Sequence, residues 1–190
     1  MKNLILATAL SFAATAGAYA AEEYTLDTSH SQVVFSYNHL GFSTTFGLFS
    51  DITGTIMFDE ADPAKSSVEV TLPVSSMETG YADRDAHFTS GDFLGKAEDM
   101  TATFTSTAIE VTGENTAIIT GDLSLNGVTI PVELDTTMTQ KGDHPMANKP
   151  WLGFYATGTV KRTEVEAGQY APYVGDDVSL IISIEAMKAE

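Results

Sequence analysis

The chain has 190 residues, no cysteine, and 26 acidic against 9 basic side chains, for a net charge of −17. Without cysteine there is no disulfide staple, no thiol catalysis and no Cys-ligated metal, so an apolar core must hold the fold alone. The negative field repels phosphate backbones and anionic lipid surfaces, which argues against nucleic-acid binding and stable membrane insertion; its plain role is to keep copies of an exported protein apart.

The first element is a leader. Lys2 precedes an apolar run from Leu4 to Ala18, and Ala18-Tyr19-Ala20 has the small-x-small cleavage pattern. Residues 1–20 therefore read as a secretory signal peptide, removed after about Ala20. Residues 21–190 then form one domain with room for a substantial core, placed in the periplasm or secreted. No later stretch is long and apolar enough to span a membrane as a helix.

From Tyr24 onward, apolar and polar residues alternate one by one. The predicted strands are Tyr24–Leu26, then Ser31–Leu40 with Val33, Phe35, Tyr37 and His39 on one face, and Asp51–Phe58 with Ile52, Ile56 and Phe58 sharing a face. Val68–Val74 follows a polar turn at Asp59–Pro63. Ala102–Val111 and Ala117–Leu125 come next, and Asn126-Gly127 marks a hairpin into Val128–Met138. Trp151–Arg162 and Val178–Ala186 complete a set of about eight or nine strands. Side chains on a strand point alternately to opposite faces, so each strand has a wet and a dry face. Dry faces must close on one another as a sandwich or a barrel, and a barrel interior suits an apolar ligand.

Two segments break the rhythm. Residues 75–100 lack alternation, and Tyr81–Phe88 fits a short helix; residues 163–176 are acidic and loop-like. Aromatics gather where connectors are expected. Phe42, Phe46 and Phe49 follow a strand, and Phe88 and Phe93 lie in the insertion. Connectors normally run polar over the surface, so these rings either cover the core or line a cavity mouth.

The chemistry-bearing residues are sparse. The four histidines have no chelating spacing, and His30 and His39 are an odd number apart, on opposite faces of a regular strand. There is no nucleophile elbow and no phosphate-binding glycine loop. No metal, cofactor or catalytic residue is predicted. Arg84-Asp85-Ala86-His87 is the densest polar cluster, with Arg84 and His87 sharing a helix face. It is either an anchor for the insertion or a polar end for a ligand headgroup.

These residues resemble the YceI-like family of lipid/polyisoprenoid-binding proteins. The resemblance is carried by Tyr24-Thr25-Leu26-Asp27 with His30-Ser31-Gln32-Val33, by His39-Leu40-Gly41-Phe42-Ser43 with Gly47-Leu48-Phe49, and by Arg84–Phe88 with Ser90, Asp92 and Phe93. Gly121–Thr129 and Val174–Val178 extend it over nearly all of the mature chain. The resemblance implies an all-β fold, a single eight-stranded antiparallel lipocalin-like barrel with a short helical insertion. It also implies binding of an isoprenoid chain or similar amphiphile, and no catalysis. Leu94-Gly95-Lys96, Met100 and Thr163-Glu164-Val165-Glu166 depart from the family pattern.

The expected function is carriage of a long apolar ligand: a polyisoprenoid, an isoprenoid quinone or a related amphiphilic lipid. Inward candidates are Val33, Phe35, Tyr37, Phe104, Met138 and Phe154. Mouth candidates are Phe42, Phe46, Phe88 and Phe93, with His39, Arg84 and His87 as polar contacts. A redox or hydrolytic accessory enzyme would use His39, Arg84, Asp85 and His87. A ligand-free structural or stress barrel would instead fill its interior with side chains. A homodimer remains an open option for the assembly.

Overall fold

In the computed structural model, residues 20–95 and 100–190 are described. The expected leader lies outside them apart from Ala20, as does Lys96. Eleven strand segments form one antiparallel sheet: β1 (Glu22–Leu26), β2 (Gln32–His39), β3 (Ser43–Phe49), β4 (Thr53–Phe58), β5 (Ser67–Pro73), β6 (Met77–Glu78), β7 (Thr101–Val111), β8 (Thr116–Leu125), β9 (Val128–Asp143), β10 (Pro150–Lys161) and β11 (Asp177–Lys188). One helix, α1 (Ala82–Phe88), follows β6.

The segments make an eight-stave barrel. β1 and β2 are halves of one stave, as are β3 with β4 and β5 with β6. Each later strand pairs with its predecessor. β11 closes the ring by pairing with β10 on one side and with both β1 and β2 on the other.

The three broken staves are tied at one level by short polar side chains. Thr28 Oγ1 donates to the Ile52 carbonyl at 2.9 Å, and Ser76 Oγ reaches the Ser50 and Pro73 carbonyls at 2.7 Å each. The first break, around Asp27–Ser31, is held by Asp27, whose carboxylate accepts from the Ser29 amide and hydroxyl and pairs with the His30 ring at 2.7 Å. The hydrogen bond to Asp27 raises the His30 pKa above its ordinary 6.5. The Ser29 hydroxyl and then His30 lower that of Asp27 below 3.8. A raised imidazole favours the fold below its unfolded pKa, and that contribution fades as pH rises through the folded value. The Asp27 contribution is present above 3.8 and lost as pH falls below it. An NMR titration should place the His30 midpoint above 6.5, and Asp27→Asn should return it toward 6.5. An unchanged midpoint in the variant would refute the pairing.

Asn126 and Gly127 both have positive φ, 59° and 84°, as the tight hairpin between β8 and β9 demands. The alternation holds along most strands, with a correction in β7. A bulge between Ser106 and Ala108 shifts the inward row from Ala102 and Phe104 to Ile109 and Val111.

The stretch from Ser43 to Phe49 corrects a second expectation. It is a strand of the wall, not an aromatic connector. Its inward positions are Ser43, Thr45, Gly47 and Phe49, so its apolar Phe46 and Leu48 face outward and the usual pattern is hidden.

At the lower end of the barrel, Tyr24, Leu26, Ile56, Phe58, Leu152 and Ala186 pack into a closed floor beneath β1, β4, β10 and β11. The upper end carries the β2–β3 turn, the insertion with α1, the β8–β9 turn and the 162–176 connector.

Candidate functional site

The barrel interior is not filled. It encloses a cavity of about 860 Å³, within the range of small-molecule sites, and its wall is almost wholly apolar. Two inward glycines help to keep it open. The Phe35 ring lies against Gly47 and the Phe104 ring against Gly121; a Cβ at either glycine would sit 2.3 Å from the ring Cζ. Each ring therefore lies along the wall instead of across the lumen.

Two flaps cover the upper end. One is α1 with the turn that follows it. Thr79 anchors its start: its amide and hydroxyl donate to Asp85 Oδ1, while Arg84 donates from Nε and Nη2 to the Thr79 hydroxyl and carbonyl, each at 2.8 Å. Phe88 packs on Tyr37 and Phe93, and His87 meets Phe93 edge-on at 4.8 Å. The second flap is the 162–176 segment, clamped by Arg162. Its guanidinium donates to the backbone carbonyls of Gly175, Ala167, Gln169 and Val174. Burial lowers the Arg162 pKa, and Asp176 partly offsets this. Burial alone would raise Asp176, but hydrogen bonds from Thr163, with Arg162 and Lys161 nearby, bring its carboxyl below the ordinary value. Asn126 joins the flaps, donating from Nδ2 to the Phe93 carbonyl at 2.6 Å and the Val165 carbonyl at 3.1 Å. The opening left between them is rimmed by His39, Ser43, Tyr81, His87 and Tyr170, all both exposed and cavity-lining.

The sequence candidates divide cleanly. Val33, Phe35, Tyr37 and His39 line the cavity from β2, Phe104 from β7, Met138 from β9 and Phe154 from β10. Arg84, His87, Phe88 and Phe93 line its upper end. Phe42 and Phe46 do not: Phe42 is 89% exposed at the β2–β3 turn, and Phe46 is 60% exposed on the outer face of β3. Of the residues an accessory enzyme would use, His39, Arg84 and His87 reach the cavity, while Asp85 is turned to Thr79 and lies outside the lining. Arg162 was missed, although it extends the inward row Phe154, Ala156, Gly158, Val160. Gly47 and Gly121 were read only as parts of the family motifs, not as room for the Phe35 and Phe104 rings; an isolated glycine within an alternating run was their signal.

Away from the cavity, Asp27, His30 and Glu185 bring donor atoms within 4.8 Å of one another. Asp27 is engaged by Ser29 and His30, and Glu185 accepts from Trp151 Nε1 at 2.9 Å, so the group is a hydrogen-bonded turn.

A closed antiparallel barrel around an apolar lumen defines a class: barrels that enclose a guest space instead of packing it. The YceI-like domain profile matches residues 24–186, and the chain belongs to the YceI-like family. It is 40% identical to Protein YceI of Escherichia coli O157:H7 over 189 residues, covering 98% of each chain. It is likewise 40% identical to a UPF0312 protein of Pectobacterium atrosepticum, covering 98% of this chain and 97% of that one. Among solved structures, the Campylobacter jejuni YceI protein matches with a TM-score of 0.71 at 28% identity, over 80% of this chain and 90% of that one. A polyisoprenoid binding domain from Saccharophagus degradans shares the fold, with a TM-score of 0.62 at 15% identity, over 87% of this chain and 98% of that one.

Proposed function

We propose that this protein is an exported binder that holds a long apolar chain inside its barrel and keeps it from water. The observation that carries the reading is the open lumen of about 860 Å³ with its apolar wall. Each methylene moved from water into such a space gains roughly 0.8 kcal/mol, so a long tail binds with few polar contacts. The polar groups lie mainly at the upper end, where Arg84, His87 and His39 reach the cavity. The guest is thus an amphiphile with its polar end there: a polyisoprenoid, an isoprenoid quinone or a fatty acyl compound. Membership of the YceI-like family supports this reading, and so does the shared fold of a polyisoprenoid binding domain. The basic leader pattern at residues 1–20 supports export to the periplasm.

Native mass spectrometry and lipid extraction of the purified protein test the binding. A co-purifying lipid, or uptake of isoprenols, isoprenoid quinols or fatty acids, is expected. Protein that emerges empty and takes up none of them overturns the reading.

A further inference from the structure

The floor of the barrel closes under only half of its circumference. Beneath β1, β4, β10 and β11, Tyr24, Leu26, Ile56, Phe58, Leu152 and Ala186 are all buried and pack together. Beneath β5, β7 and β8 the arrangement differs. There the 59–66 connector, with a 3₁₀ turn at Pro63–Lys65, lies beside β7, which runs on into the 112–115 turn. Pro63, Ser67, Val111 and Asn115 all line the cavity and are all exposed. Val111 is decisive. It belongs to the inward row of β7 with Ile109, yet it is 47% exposed. Val111 is the last residue of β7, so the cavity wall meets solvent at this point.

We propose that this gap is a second opening, through which the far end of the guest's tail leaves the barrel. The proposal rests on the lipid-binding reading above and narrows it: the barrel is a sleeve, and its guests include tails longer than the barrel itself. β7 has 11 residues; at about 3.4 Å per residue and a tilt of about 35–45°, the sleeve is roughly 26–31 Å long. The two ends suit opposite ends of an amphiphile. Arg84, His87 and Arg162 line the upper end beside one acid, Asp83, whereas the lower gap is lined by Pro63, Ser66, Val111 and Asn115, with Glu114 and no basic group. The polar end of the guest stays above and the tail passes below.

The test is a chain-length series of n-alkyl fatty acids and linear polyprenols, titrated against the full chain by displacement of a fluorescent fatty acid. Affinity should rise about 4-fold per added methylene while the tail still has lumen to fill, then level off with no loss for longer tails. Val111→Trp and Pro63→Trp place an indole at the gap, one from β7 and one from the 59–66 connector. Either should weaken tails longer than the sleeve by about 10-fold or more beyond any effect on short tails, since the long ones must then fold back or protrude above. A wild-type affinity that collapses beyond a fixed tail length means a closed floor and overturns the proposal. If a variant fails to fold, the wild-type series alone decides. No binding at any length overturns the lipid-binding reading, and the proposal falls with it.

Discussion

Replacing Ala156 with tryptophan is expected to abolish uptake of apolar guests while the barrel still folds. Ala156 sits midway along β10, between its partners Thr136 and Ile182, and all three line the cavity. Its side chain is small and 6% exposed, so an indole at this position projects into free space between the two ends of the lumen. Overpacking costs typically about 1–3 kcal/mol, which a domain of this size tolerates. The functional effect is larger. A tail denied burial of only four methylenes loses about 3 kcal/mol, which is more than about 100-fold in Kd. Displacement of a fluorescent fatty acid measures the affinity, and circular dichroism checks the fold. Unchanged affinity in a folded variant would place the guest outside the barrel.

Arg162→Met is expected to produce the largest loss of stability outside the core. Four backbone carbonyls of the upper flap accept from this one guanidinium. Removing their donor leaves partly buried acceptors unpaired, at about 1–3 kcal/mol for a fully buried group and less where water re-enters. A total of about 2–4 kcal/mol corresponds to a fall in Tm of roughly 5–15 °C for a domain of this length. The 166–176 segment should also become sensitive to protease. Arg162→Lys should recover little of this, because an ammonium cannot match the planar fork that reaches carbonyls on both sides of it. Full recovery by lysine would mean that charge, not geometry, holds the flap.

What the residues revealed in advance was the wall, strand by strand. Period two put Val33, Phe35, Tyr37 and His39 on one face, and that whole row faces the lumen. The same rule failed for β3, because its inward row is Ser43, Thr45, Gly47 and Phe49. Gly47 is small because the Phe35 ring needs its space, and that contact joins residues that are neighbours only after folding. Phe42 and Phe46 looked like mouth residues because aromatics in a connector usually mark covered surface, yet Phe42 sits on the exposed β2–β3 turn and Phe46 on the outer face of β3. Arg162 escaped notice for a related reason. Its inward parity was visible along β10, but its four partners lie on a loop whose course no local pattern specifies. The ties from Thr28 to Ile52 and from Ser76 to Ser50 were equally out of reach, since an isolated Ser or Thr in a turn has many local alternatives.

The ring shuts at β11, which among the described strands joins the first stave to β10. Without β11 the sheet would have two raw margins and an uncovered oily inside. Sealing is thus a long-range step, a ribbon seated beside strands some 150 residues earlier in the chain.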